Sequence, residues 1–323
     1  MIVDRVGPSE IANLNSLIQT YPFKPYRNYR AVSKRLQEAI LRAEIDQALA
    51  TESAGAVLAA GEGQAACVFQ PLAWDSAFFG LPMGRILYVL RSEEATPKAL
   101  ESAVAACLEA CRAAGLWHVA ARVDVSDVHG ILALENQGFR LMDALVTYTY
   151  HPRRDAPPPV KEMGVLRPFR EEDADQIVSI TQEAYRGFRS RFHADPHLPD
   201  DRCDELYVEW ARRVVTKEMA QQVLVTENGQ GQLHGFTSFC RIEPVWTVSG
   251  VEMYGRGLGA CRRDRPGAYA GLIRAGIAWT HARGAVSEMQ TQNYNYSTIR
   301  VYEAVSAQYV RADYTFHAWL GPS

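Results

Sequence analysis

The stretch Thr291-Gln292-Asn293-Tyr294-Asn295, followed by Tyr302 and then by Tyr314-Thr315-Phe316-His317-Ala318-Trp319-Leu320, decides the fold. Working outward from it, Val286 to Gln292 reads as a strand, Ser297 to Val305 as a helix and Tyr309 to Leu320 as a closing strand. Upstream, apolar residues from Tyr269 to Ala282 fall at helical spacing, and Gly284 ends that helix. The same order occurs earlier in the chain. A helical run from Leu100 to Ala114 ends at Gly115; a strand-like run from Trp117 to Val125 comes next, then a helix from Val128 to Gln137, then an aromatic strand from Leu145 to Tyr150. Setting Gly138 against Ser306 gives an offset of 168 (306 − 138) that also sets Tyr148 against Phe316. Weak identity in a constant order marks a tandem repeat of one fold.

Between the repeats stands His151-Pro-Arg-Arg-Asp-Ala-Pro-Pro-Pro159. Consecutive prolines lack the N–H that a helix or ladder needs and favour an extended spacer. The expected division is therefore residues 1–155, a proline-rich linker over 156–162, and residues 163–323. A length of 323 residues with 47% apolar content supports two separate cores. The formal charge of −3, with Lys and Arg scattered, gives no electrostatic footprint for nucleic acid or an anionic membrane. The opening Met1-Ile2-Val3-Asp4-Arg5 lacks the pattern of a signal peptide, and no long apolar run occurs, so a cytoplasmic protein is expected. Six cysteines are spread along the chain; Cys107 and Cys111, four apart on one helix face, read as buried thiols rather than a metal or redox pair.

The repeat offset exposes an asymmetry. Asn295 falls opposite Asp127, and Tyr302 falls opposite Leu134, which has no proton to give. Ahead of the Leu100 helix there is no glycine-rich anion loop, and Glu93-Glu94 stands where a phosphate would be repelled. The first half reads as a degenerate copy.

The order of Thr291-Gln292, Asn295, Tyr302 and the closing aromatic strand resembles the last third of a GNAT acyltransferase domain. Three further segments resemble bacterial dTDP-fucosamine N-acetyltransferases: Leu72-Ala-Trp74-Asp75-Ser-Ala-Phe78-Phe79-Gly80; Ser190-Arg191-Phe192-His193 with Tyr207-x-x-Trp210; and Gly276 to Tyr302 with Trp279 and Gly284. The resemblance covers residues 70 to 323. It implies an α/β (α+β) chain of two tandem GNAT-like domains, each a mixed, mostly antiparallel central sheet flanked by helices, the first degenerate. It also implies transfer of an acetyl group from acetyl-CoA, without a metal, to the amine of a nucleotide-linked aminodeoxysugar. The reaction expected is direct attack through a tetrahedral intermediate.

Within that resemblance the donor's pyrophosphate loop corresponds to Arg265-x-x-Ala268-x-Ala270, with Gly267 and Tyr269 between. It keeps the arginine and the small residues, loses the first glycine, and contains Pro266, which removes an N–H. Gly255-Arg-Gly257-Leu-Gly259 is a competing register; the later one is preferred because it runs directly into the Tyr269 helix. Tyr302 is the candidate general acid for the departing thiolate. Asn295 either holds the pantetheine amide or caps its helix, roles its side chain can combine. Glu252, on a strand read as Val251 to Tyr254, is the candidate base, with a solvated strand residue as the plain alternative. His193 and Asp195 form another candidate group, with no second ligand set for a metal. Arg191, with its bidentate fork, and Tyr185 bound the acceptor side; a surface ion pair is the other reading of Arg191. His317 reads as structural. A phosphopantetheinyl acyl carrier protein meeting Arg256, Arg262, Arg263 and Arg265 is the alternative donor, and a noncatalytic GNAT-like binding protein is the alternative class. Expected partners are a small-molecule amine, with a carrier protein and a homodimer left open.

Overall fold

A computed structural model describes residues 8–58, 64–152, 164–255, 257–265 and 267–321; the expected linker over 156–162, Arg256 and Pro266 lie outside the described residues. The chain forms two compact units. One reaches to Leu145 and takes in the segment from Ala312; the other spans Val146–Arg311.

The elements of the first half are α1 (Pro8–Thr20), α2 (Lys34–Leu49), β1 (Gly55–Leu58), β2 (Ala65–Pro71), α3 (Ala73–Phe79), β3 (Met83–Arg91), α4 (Pro97–Ala113), β4 (His118–Asp124), α5 (Val128–Asn136) and β5 (Arg140–Tyr150). The second half repeats them after a short strand β6 (Val165–Pro168): α6 (Ala174–Tyr185), α7 (Asp200–Val215), β7 (Gln222–Glu227), β8 (Leu233–Arg241), α8 (Glu243–Ser249), β9 (Met253–Gly255), β10 (Gly259–Cys261), α9 (Ala268–His281), β11 (Val286–Gln292), α10 (Tyr296–Ala304) and β12 (Gln308–Trp319). Adding 168 to the bounds of β4 and α5 returns those of β11 and α10, so the repeat read from sequence is a repeat of structure.

In the first unit the sheet order is β1-β2-β3-β4-β12. Strands β1 to β3 pair antiparallel, β3 and β4 pair parallel, and β12 pairs antiparallel to β4 from Asp313↔Asp124 to Trp319↔His118. Alternation along β2 sends Cys67 and Phe69 to a core with Leu100, Val104 and Cys111 of α4, and Ala66 and Val68 to a core with Leu17 of α1 and Leu41 and Ile45 of α2. Each fully buried Leu or Val contributes about 1.5–3 kcal/mol. Thr96 starts α4 by accepting from the Ala99 N–H at 3.2 Å, with Pro97 in the first turn.

The closing strand departs from expectation. Most of β12 completes the first unit, because Phe316 and Ala318 are buried in the same core as Leu100 and Val104. In return Val146–Tyr150, the end of β5, belongs to the second unit.

That second unit has strand order β5-β11-β9-β8-β7-β6, with β10 also on β8. Its ladders are antiparallel from β6 to β9 and parallel between β9 and β11. Ile177 and Ile180 of α6 and Ala211 and Val214 of α7 cover Val223, Val225, Phe236 and Ala260. Ile273 and Ile277 of α9 pack with Met289, Tyr302, Tyr148 and Tyr150. Four of the six cysteines, Cys107 and Cys111 among them, are buried; Cys240 and Cys261 are partly exposed. Among the described residues no helix is long and apolar enough to cross a membrane.

One ionic group ties the start of this unit together. Arg167 of β6 grips both oxygens of buried Asp173 at 2.7 and 2.8 Å and reaches Glu227 of β7 at 2.7 Å. The Asp173 carboxyl, despite its burial, is held below its usual value by Arg167 and the Arg170 N–H; Glu227 is lowered by Arg167 too. A depressed carboxyl pKa adds stability above the unfolded-state value near pH 4 and loses it as pH falls through the folded-state value. Arg167→Met, which strands Asp173 without its cation, is expected to destabilise the second unit by about 3–5 kcal/mol at neutral pH. Urea unfolding at pH 7 and pH 3 checks this, and the deficit should shrink at the lower pH.

Candidate active site

Strands β9 and β11 pair only at Met253↔Val286 and Tyr254↔Ser287 among the described residues. Beyond that point β10 stays on β8, through Gly259↔Thr237 to Cys261↔Gly235. The two parallel strands therefore part, leaving a notch whose backbone groups are not used by a mutual ladder. Ser238 holds the departing chain: its N–H donates to Leu258 O at 2.8 Å, and its hydroxyl accepts from the Leu258 N–H at 2.8 Å. Gly257 lies so close that a Cβ there would sit 1.8 Å from Ser238 O, and one on Gly255 would sit 2.8 Å from Glu288 Cβ. These glycines serve strand contacts. The later register, from Arg265, is the one that runs into helix α9.

Gly267 opens α9 with φ 93°, a left-handed conformation that glycine takes without steric cost, and no side chain caps the helix. Two of its first N–H groups are already engaged, Ala268 N–H with Arg265 O at 3.1 Å and Tyr269 N–H with the Cys261 thiol, which leaves the helix macrodipole as the main attraction for an anion. Ala268 is buried, Tyr269 and Ala270 are half-buried, and the Arg265 side chain is 45% exposed beside Asp264. Arg262 donates to Leu233 O at 2.8 Å and Arg263 to Arg186 O at 3.0 Å, so both are tied to backbone and the basic surface expected for a carrier protein is reduced.

Asn295 caps α10, accepting from the Thr298 N–H at 3.4 Å while its amide donates to Thr291 Oγ1 at 3.0 Å. Two turns later Tyr302 is 2% exposed, and its hydroxyl donates to Gln290 O at 3.2 Å, within the unpaired part of β11. The Tyr269 hydroxyl lies 3.4 Å from that of Tyr302. Burial pushes the Tyr302 phenol well above its ordinary pKa, and the neighbouring phenols of Tyr269 and Tyr185 act in the same direction. Tyr302 is therefore a protonated donor at neutral pH, at the level where β9 and β11 have parted.

The other candidates are placed differently. Glu252 precedes β9 rather than lying on it, because its carbonyl accepts the Val286 N–H at 2.9 Å at the paired end. It is level with Ala285, about 16 Å along β11 from Gln290 at about 3.3 Å per residue. Tyr185 donates to Gly259 O at 3.1 Å and stacks on Tyr207 with centroids 4.2 Å apart, walling the α6 side of β10. His193 is committed through both nitrogens, to Ser190 at 3.0 Å and Asp204 at 3.2 Å, and so staples its loop. Asp195 holds His197 Nδ1 and N–H, each at 3.1 Å. The Arg191 guanidinium lies 4.2 Å from the Phe192 ring centroid. His317 is buried in the first unit, where its ring meets that of His118 edge-on at 4.4 Å.

Sequence reasoning missed Glu288. It sits on β11 at 5% exposure, level with Gly255 and one residue past the last pair. The signal was present as a carboxylate inside an otherwise buried strand, Val286-Ser-Glu288-Met-Gln, but alternation there also fits a solvated face.

The first copy keeps the parallel start, Met83↔His118 to Ile86↔Ala121, and fills the space beyond Ile86. Arg91 pairs with Asp127 at 3.2 Å, and Arg27 pairs with Asp124 at 2.9 Å and bonds Ser126. Both guanidinium groups lie over the Phe23 ring, at 5.1 and 4.7 Å. Leu134, in the place of Tyr302, is fully buried in the core. A pantetheine arm would have to break this cluster to enter.

No family model matches the sequence. A dTDP-fucosamine acetyltransferase of Escherichia coli O6:H1 is 25% identical over 236 residues, 72% of this chain and 90% of that protein. The spore coat polysaccharide biosynthesis protein SpsD of Bacillus subtilis is 26% identical over 171 residues, 52% of this chain and 54% of that protein. Among solved structures, a tandem GNAT protein from the clavulanic acid biosynthesis pathway superposes over 100% of this chain and 98% of its own, with 16% identity and a TM-score of 0.55. The chain thus carries two copies of the GNAT fold, and its sequence is similar to that of a dTDP-fucosamine acetyltransferase.

Proposed function

We propose that the second unit transfers an acetyl group from acetyl-CoA to the primary amine of a nucleotide-linked aminodeoxysugar. The observation that carries the reading is the Tyr302 hydroxyl held inside the notch between β9 and β11, a group the first copy replaces with Leu134. The named substrate of the Escherichia coli relative, dTDP-fucosamine, supplies the acceptor class.

In this reading the pantetheine arm lies along the unpaired edge of β11, and the pyrophosphate meets the uncapped start of α9 with Arg265, Gly267, Ala268, Tyr269 and Ala270. The helix macrodipole favours an anion there. Asn295 fixes the turn into α10 and has amide capacity left for the arm. The acceptor approaches from the side of α6 and the loop carrying Arg191 and His193. Its amine attacks the thioester carbonyl, and the oxyanion takes a backbone N–H of the parted strands. As the C–S bond breaks, Tyr302 gives its proton to the sulfur.

Tyr302→Phe is expected to lower kcat by about 10²- to 10⁴-fold with the KM for acetyl-CoA little changed, since the proton is delivered only as the thiolate departs. Steady-state kinetics with dTDP- and UDP-aminosugars check this; a loss under about threefold on folded protein would make Tyr302 a packing residue. Glu252→Gln, at the paired end of the strands, should change kcat by less than about threefold. Calorimetric titration should give one equivalent of acetyl-CoA per chain, and saturation at 100 times Kd should add about 2.7 kcal/mol of stability. Two equivalents would mean that the first copy also opens.

A further inference from the structure

Resting on the acetyl-transfer reading, the geometry points to Glu288 as the general base that takes a proton from the acceptor ammonium. Ser287 of β11 bonds Thr280 of α9, and Met289 packs with Ile273, Ile277 and Tyr302, so these two side chains face α9 and α10. Side chains alternate along a strand, which puts Glu288 and Gln290 on the opposite face. Tyr302 reaches Gln290 O from the α10 face, while the Glu288 carboxylate projects from the other. A thioester lying between the strands would thus meet a proton donor on its leaving-group side and a carboxylate on the side from which a nucleophile must come.

The level along the strand agrees. Extending the register Tyr254↔Ser287 by one residue sets Gly255 beside Glu288, at the mouth of the notch, and the absence of a side chain on Gly255 leaves room against Glu288 Cβ. The repeat provides an internal control: at the offset of 168, Glu288 corresponds to buried Ala120 (288 − 168) and Tyr302 to Leu134 (302 − 168). The first copy lacks both the carboxylate and the phenol and keeps the fold, so the fold does not need a buried carboxylate at this position. A largely buried carboxylate on a strand interior that its structural twin fills with alanine is a functional candidate.

The step balances without a co-reactant. Glu288 accepts one proton from the ammonium; the freed lone pair forms the C–N bond, and the thioester C=O electrons move to oxygen. Collapse breaks C–S, the sulfur takes the Tyr302 proton, and the second N–H proton of the cationic amide restores the phenol. The proton on Glu288 leaves to solvent.

Three full-length proteins test this with acetyl-CoA and the dTDP- and UDP-aminosugar panel: wild type, Glu288→Gln and Glu288→Ala. Glu288→Gln should lose about 10²-fold or more in kcat, with donor KM within about threefold and the same thermal stabilisation by acetyl-CoA. Sodium formate, a diffusible carboxylate, should restore turnover of Glu288→Ala at least about tenfold, and sodium chloride at equal concentration should not. Active wild type with Glu288→Gln within about threefold, or Glu288→Ala that formate does not rescue, overturns the role of Glu288 and leaves the acetyl-transfer reading standing. A wild type inert with every acceptor overturns that reading and this role together.

Discussion

The second unit depends on a ladder that stops early. Two parallel strands meet at Met253↔Val286 and Tyr254↔Ser287, and the next residues of one are drawn onto β8 by Ser238. A sheet normally uses its main-chain donors and acceptors on itself. Here, among the described residues, β11 past Ser287 has no ladder partner on the β9 side, and helix α10 brings a phenol to that edge. Leaving backbone groups without a ladder partner carries a cost, which an extended ligand arm laid along that edge would offset.

The first copy answers the same constraint differently. Its strands also part, but Arg91–Asp127 and Arg27–Asp124 around Phe23 occupy the place. Paired and partly buried charges contribute little net stability compared with apolar packing, yet removing one partner is costly because the other is left uncompensated. The copy is thus closed by groups that must all stay together. Its core is packed with Leu134 where the second copy keeps Tyr302.

Much of this was legible in the sequence. Helix ends are written by local chemistry, so Asn295 and Asp127 marked the starts of α10 and α5, and Gly284 and Gly115 the ends of the preceding helices. The repeat was evident from spacing alone. The partner of β12 was not legible, because an apolar alternating strand such as Tyr314–Trp319 carries no label for which neighbour it will join. Glu252 was misplaced because β9 has three residues, too few for periodicity to fix its start. Glu288 was passed over for a related reason: burial of one face of β11 is decided by elements far away in sequence. Commitment of both His193 nitrogens to Ser190 and Asp204 is likewise a tertiary fact.

The exchange of closing strands has a consequence for how the chain comes to be folded. The core around Leu100 needs Phe316 and Ala318, which follow the whole second unit in the chain, so the first unit cannot complete its sheet while the second is still emerging from the ribosome. Contacts such as Trp319↔His118 span most of the sequence, and such non-local pairing is slow to form. Domains that normally mature one after the other are here obliged to finish together, with the edge of β4 waiting unpaired and open to association with other chains until β12 arrives.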